Sequence, residues 1–315
     1  MATVTAIGAR RGAGAPTVAQ SVDRFLASPT VTGSANTRRA YTSTLEKVAA
    51  AVGGDRALAE VTGQQLADAL TDLWGGAAES TWNRNRAVVT SWLTWCADSG
   101  WACPELPRTV KRRREKRAET RAVDWHTIDR LCSRRDVPLR DKCLFRMLYE
   151  TSSRASAVLQ LNVEDLDLRN RSATIRQKGG HQIQVAWGDG TAAILGRLVA
   201  GRTSGPVFLT DLPAGPQRAA AAKSRDIDET GRTRLSYGRA RALIERYTGG
   251  EITLHQLRHS SLTHLAEAGV GTTTLMAKSG HANLRSLQRY ARPSFAAVQA
   301  ATELLADPPT RKRRT

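Results

Sequence analysis

The octapeptide LHQLRHSS, Leu254 to Ser261, sets two histidines four residues apart with an arginine between them. On a helix, positions i, i+3 and i+4 share a face. His255, Arg258 and His259 can therefore converge on one target. A metal ion, an anion and the polar flank of a packed helix all fit that spacing. The metal reading is the weakest. The zinc-protease signature H-E-x-x-H needs a carboxylate base at its second position, and Gln256 stands there. The anion reading gains from Arg258, whose planar fork suits phosphate. It also gains from His255, which can move a proton near neutral pH.

Four more residues could join this chemistry. In SSRASAVLQL, Arg154 stands at the start of a predicted helix, where main-chain N–H groups also favour anions. In QKGGH, Lys178 rides the tip of a predicted hairpin. In SGHANLRSLQRYARPS, His281 precedes a helix capped by Asn283, and Tyr290 falls near that helix's end. Each has a plain alternative: a surface charge, a hairpin solubiliser, a turn residue and an amphipathic core residue. His259 reads as structural and His264 as packing.

The elements that must position these residues are mostly helical. TRRAYTSTLEKVAAAVGG spaces Tyr41, Leu45, Val48 and Val52 as one apolar stripe, stopped by Gly53 and Gly54. A second helix starts near Thr62. A third, in STWNRNRAVVTSWLTWCADSGW, stripes Val88, Trp92, Trp95 and Cys96 and ends at Gly100. Trp82, Trp92, Trp95 and Trp101 suit the core of a small helical domain, with base stacking the alternative. After Pro104 and Pro107 comes the dense basic run VKRRREKR, which reads as a linker that tracks phosphates. Beyond Asp124, helices flank one change of period: Ala173, Ile175 and Gln177 alternate, Gly179-Gly180 turn, and Ile183, Val185 and Trp187 alternate. Residues from about 201 to 235 read as basic loop. Four further helices follow, over SYGRARALIERYTGG, HQLRHSSLTHLAEAGV, TTTLMAKSGH and NLRSLQRYA, and SFAAVQAATELLA is the last.

Composition narrows the partner. The 315 residues suffice for two domains, and 41% hydrophobic with 24% charged residues excludes wholesale disorder. Lys and Arg number 47 against 29 Asp and Glu, a net +18 that favours a polyanion such as nucleic acid. The candidate DNA contacts are Arg38 and Arg39, Arg84 and Arg86, and the run Lys111, Arg112, Arg113 and Arg114. No apolar run approaches the ~18–20 residues of a membrane span, and the N-terminus lacks a secretion signal. A cytoplasmic protein follows. Cys96, Cys103, Cys132 and Cys143 form no CxxC pair and read as reduced, mostly buried thiols.

The ordered set Arg154, Lys178, His255, Arg258, His281 and Tyr290 resembles the tyrosine recombinase/integrase family, the Xer-like and phage-integrase group. The resemblance runs from about Val18 to Ala306 and is densest over HQLRHSSLTHLAEAGVGTTTLMAKSGHANLRSLQRYA, close to H-x-L-R-H…G-H…Y. Two positions depart from the family pattern. T-G-x-R becomes Thr151-Ser152-Ser153-Arg154, and the acidic residue three positions after that arginine is Ala157.

The resemblance implies a mainly α fold with a small antiparallel sheet (α+β) in the second domain. It implies a flexible basic tail over 1–15, a helical core-binding (SAM-like) domain over 16–107, a basic linker over 108–122, a catalytic domain over 123–306 and a basic tail over 307–315. The two domains would clamp double-stranded DNA. Tyr290 would be the nucleophile, His255 its base, and Lys178 the proton donor to the leaving oxygen. Arg154, Arg258 and His281 would hold the phosphate, with no metal, ATP or other cofactor. The C-terminal helix would join protomers into a homotetramer on two DNA sites, with accessory DNA-bending or directionality factors as further partners. Two alternatives stay open: a catalytically silent DNA-binding protein of this fold, and a type IB topoisomerase.

Overall fold

The computed structural model describes residues 15–115, 122–176 and 182–281, with Asn283, Leu287, Gln299, Thr302 and Glu303. The chain splits into two compact units, Met1–Ala118 and Glu119–Thr315.

The first unit is built from α1 (Val18–Leu26), α2 (Pro29–Thr32), α3 (Ala35–Val52), α4 (Gly63–Trp74) and α5 (Glu79–Asp98). Capping boxes open α1 (Thr17 with Gln20) and α4 (Thr62 with Gln65), satisfying amide donors that a helix start leaves bare. The predicted stripe on α3 faces inward at Leu45, Val48 and Val52, while Tyr41 is half-buried. Gly53 ends α3 with φ at 91°. Gly63 permits a close approach: a Cβ there would lie 2.2 Å from the Glu105 carbonyl oxygen. The tryptophans of α5 are core residues, Trp92 fully enclosed and Trp95 packed on Phe25 (5.6 Å) and edge-on to Trp101 (5.2 Å).

The basic run begins differently from a free linker. Val110 is buried, and the backbone that follows is strapped to α5. Trp82 Nε1 donates to the Lys111 carbonyl (3.0 Å) and Arg86 Nε to that of Val110 (2.6 Å). Asn83 accepts from the Arg113 amide (2.7 Å) and donates to the Arg113 carbonyl (2.9 Å), as a neighbouring strand would. Residues 108–115 thus pack with the first unit through their backbone, while Lys111, Arg112 and Arg114 keep their charges in solvent.

The second unit wraps around α7 (Leu139–Thr151), which follows α6 (Trp125–Ser133). Cys143, Leu144, Phe145, Met147 and Leu148 on α7 are all fully buried. After α8 (Ala155–Leu159) come β1 (Leu166–Asp167), β2 (Ser172–Arg176) and β3 (Gln182–Ala186), antiparallel in the order β1-β2-β3. Ile175 pairs with Ile183 and Ala173 with Val185, the inward register that the alternation predicted. The short β1 was not expected.

Two helices appear where the sequence pattern read as loop or gave no helix: α9 (Asp189–Val199) and α10 (Pro216–Ala221). The start of α9 is held by a distant side chain. Glu150, on α7, accepts from the amides of Gly188 (2.9 Å) and Thr191 (3.2 Å). Arg234 fastens the loop-rich stretch, donating to the carbonyls of Leu159 and Leu161 and pairing with Asp226. Then α11 (Tyr237–Thr248), α12 (Leu254–Glu267) and α13 (Thr272–Ser279) follow as predicted. Leu262, Leu275 and Leu287 make a small separate cluster.

Candidate active site

Arg258 is the centre of the site. It lies on α12, whose start is fixed by the Thr253–Gln256 capping box. The inner edge of that helix buries Leu254 and Leu257 and carries Arg258 in with them, to 2% exposure. A buried guanidinium must be hydrogen-bonded to be tolerated. One terminal nitrogen of Arg258 donates to the Ser152 carbonyl (2.8 Å). The other donates to the Ser279 carbonyl (3.1 Å) and meets His281 Nε2 (3.1 Å). The fork therefore ties together the end of α7, the end of α13 and α12 itself.

His281 is oriented by its neighbour. Ser279 Oγ donates to the Leu275 carbonyl (2.6 Å), so it accepts from His281 Nδ1 at 2.6 Å. That places a proton on Nδ1 and leaves Nε2 to face the arginine. Gly280 makes the approach possible by turning the chain with φ at 63° immediately before the histidine.

Arg154 caps α8 and is exposed, two residues beyond the Ser152 carbonyl that holds Arg258. His255 is exposed on α12, one turn before Arg258. The structure thus gathers the segments carrying Arg154, His255, Arg258 and His281. Lys178 and Tyr290 lie outside the described residues. Ala157 is buried among the apolar side chains behind α8, where a carboxylate would have no room for its hydration.

Three contributors carry no motif of their own. Ser152 and Ser279 hold Arg258 through main-chain oxygens, which side-chain patterns do not reveal. Ser261 Oγ lies 2.7 Å from Ser152 Oγ. The sequence signal for Ser152 is its place where the family pattern has glycine. His264, read as packing, also accepts or donates a hydrogen bond with the Tyr149 hydroxyl (2.8 Å). His259 Nδ1 meets Thr263 Oγ1 on its own helix (3.4 Å).

The electrostatics around this centre are those of burial. Burial holds Lys278, next to Ser279, below the usual lysine range, with Glu150 opposing it. Burial likewise pushes Cys96 up to about 12 and Cys132 up to about 11, and raises Cys143 and Cys103, so none of these thiols is a ready nucleophile. Among the described residues, no three His, Cys, Asp or Glu side chains gather as a metal set, and no helix is long and apolar enough to cross a membrane.

The candidate DNA contacts divide. Arg38, Arg39, Arg84, Lys111, Arg112 and Arg114 are exposed. Arg113 and Arg86 are half-buried and serve the fold. Arg113 donates to the Gly75 carbonyl (2.8 Å) and lies 4.0 Å over the Trp82 ring, and Arg86 holds Val110.

Comparison with known proteins shows the family of the chain. The phage integrase family model matches residues 123–297, more than half of the chain. The tyrosine recombinase XerC of Mycobacterium leprae is 28% identical over 277 residues, spanning 82% of this chain and 88% of that protein. That of Mycobacterium tuberculosis is 27% identical over 288 residues, spanning 86% and 92%. The fold is shared with the Tn1549 transposon integrase in complex with transposon right-end DNA, at TM-score 0.66 and 15% identity, covering 92% of this chain and 100% of that one. It is shared too with a lambda integrase dimer bound to a core site, at TM-score 0.64 and 16% identity, covering 87% and 77%. A buried arginine fork beside a G-H histidine, on a chain matched in this way, belongs to the phage integrase family: the protein is a tyrosine recombinase.

Proposed function

We propose that this recombinase cleaves and rejoins double-stranded DNA at a specific site through a 3′-phosphotyrosine on Tyr290. The Tyr290 hydroxyl oxygen attacks the scissile phosphorus as the bond to the 5′-oxygen breaks, and a 5′-hydroxyl leaves. Another strand's 5′-hydroxyl reverses the step. The bond energy is conserved in the phosphotyrosine, so rejoining needs no nucleotide.

A tyrosine hydroxyl ordinarily titrates near ~10 and needs a base at neutral pH. His255 takes that proton. Lys178 gives one to the departing 5′-oxygen. Arg154 and Arg258 balance the charge growing on the non-bridging oxygens, and His281 supplies a further hydrogen bond to the phosphate. The observation that carries this reading is the Arg258 fork, which links the stretches bearing Arg154 and His281 through one buried guanidinium.

The exposed cations Arg38, Arg39, Arg84, Lys111, Arg112 and Arg114 neutralise DNA phosphates. The last helix joins protomers into a tetramer on two sites, and accessory DNA-bending or directionality factors set the outcome. The test is a covalent trap on nicked duplexes tiled from the DNA flanking the gene. A denaturant-resistant adduct in wild type, absent in Tyr290→Phe, is expected. Specific binding with no adduct would overturn the catalytic reading.

A further inference from the structure

Ser152 has the backbone of a glycine. Its φ is 54° and its ψ 24°, the left-handed region, which costs a residue with a Cβ roughly 1–2 kcal/mol. The conformation has a use. It turns the Ser152 carbonyl toward α12, where it accepts from Arg258 at 2.8 Å. Something must hold a serine in this state, and the structure has a holder. The Ser152 side chain is fully buried, and its Oγ lies 2.7 Å from Ser261 Oγ, also buried. Ser261 is three residues after Arg258 on α12, hence on the same face. Ser152 is therefore fastened to one helix at two points, its carbonyl by the arginine and its hydroxyl by the serine.

We propose that Ser152 and Ser261 are positioning residues for the phosphate-holding arginines. The hydroxyl pair keeps residue 152 left-handed, the carbonyl fixes the rotation of the Arg258 fork, and the same turn sets the direction in which Arg154 leaves the chain two residues later. A hydroxyl pair here does what a glycine's conformational freedom would otherwise do. This rests on the reading of Arg154 and Arg258 as phosphate ligands.

The test compares Ser152→Gly, Ser152→Ala, Ser261→Ala and the Ser152→Gly/Ser261→Ala double variant in full-length protein. Single-turnover adduct formation at saturating nicked duplex is measured beside DNA affinity and Tm. Ser152→Ala and Ser261→Ala are expected to slow the chemical step about ten- to a hundredfold, as small misplacements of a reacting group do, with DNA affinity within about twofold. Ser152→Gly is expected to react faster than Ser152→Ala and to rescue Ser261→Ala in the double variant, because glycine adopts positive φ without support. Equal rates in all variants, or a Ser152→Gly as slow as Ser152→Ala, would overturn the proposal. So would losses that merely follow Tm.

A crystal structure of Ser261→Ala provides a readout independent of activity. Residue 152 is expected to leave the left-handed region and release Arg258, and its staying put overturns the proposal. Absence of adduct in wild type on DNA that it binds would sink the catalytic reading instead.

Discussion

Replacing Arg258 with lysine separates two roles of one side chain. A lysine keeps the charge but offers one nitrogen where the guanidinium offers a fork. At 2% exposure it cannot serve both the Ser152 and the Ser279 carbonyls with the geometry seen, and one acceptor is left buried and unpaired. Stranding a buried acceptor costs ~1–3 kcal/mol, and a lost charge-assisted bond a similar amount, so a destabilisation of about 2–4 kcal/mol is expected. For a unit of this size that lowers Tm by roughly 5–15 °C. Arg154→Lys is the matched control. Arg154 is exposed, so its replacement should lower Tm less than that of the buried fork. Both variants should lose cleavage by ~10²–10³, as when one transition-state donor is removed. Calorimetry and the covalent trap, run on the same preparations, give the two axes. The same small Tm change in both variants would show that the buried fork holds nothing together. A large Tm loss in Arg258→Lys with cleavage intact at low temperature would make Arg258 a scaffold residue and remove it from the phosphate site.

Changing Arg38, Arg39 or Arg84 to Gln should each lower the slope of log K against log salt by about 0.9 in titrations with the target duplex, whereas Arg113→Gln should instead lower the melting temperature of the first unit, through Gly75 and Trp82. Burial, aided by the bond its hydroxyl donates to Asp141 (2.9 Å), pushes Tyr247 up to about 12. A folded value above the unfolded one means that the contribution is fully present below pH ~10 and fades as pH rises through about 12. Tyr247→Phe, which removes a bond to a buried carboxylate, should thus cost about 1.5–3 kcal/mol and the same amount at every pH from 6 to 9 in urea melts. A thiol reagent should label half-buried Cys103 first in native protein and reach Cys96, Cys132 and Cys143 only on unfolding, counted by mass spectrometry.

The helices of the first unit were legible because their periodicity, caps and stop glycines act within a few residues of one another. The attachment of the charge run after Pro107 to the first unit was not legible for the opposite reason. Its side chains look like a linker's, but the bonds that hold it are made by the backbone of Lys111 and Arg113 to Trp82 and Asn83, some thirty residues earlier. The helix α9 was missed because its N-terminal amides are met by Glu150, 38 residues upstream of the first of them, rather than by a local cap. In the site, Arg154, His255, Arg258 and His281 were readable as a spaced set of side chains. Ser152, Ser261 and Ser279 were not, since two of them act through carbonyls and one through a partner 109 residues away.

That long reach has a consequence for a chain still being made. The described core of the first unit closes on residues between Val18 and Val110. The pocket of Arg258 needs Ser152, 106 residues behind it, and Ser279 and His281, more than twenty ahead. Domains generally fold as units, N-terminal first, during synthesis. An unfinished chain on the ribosome thus has its first, basic unit folded well before it holds the arginine fork. The fork cannot close until residue 281 has emerged, so a chain cut short before that point lacks the arrangement that holds Arg258.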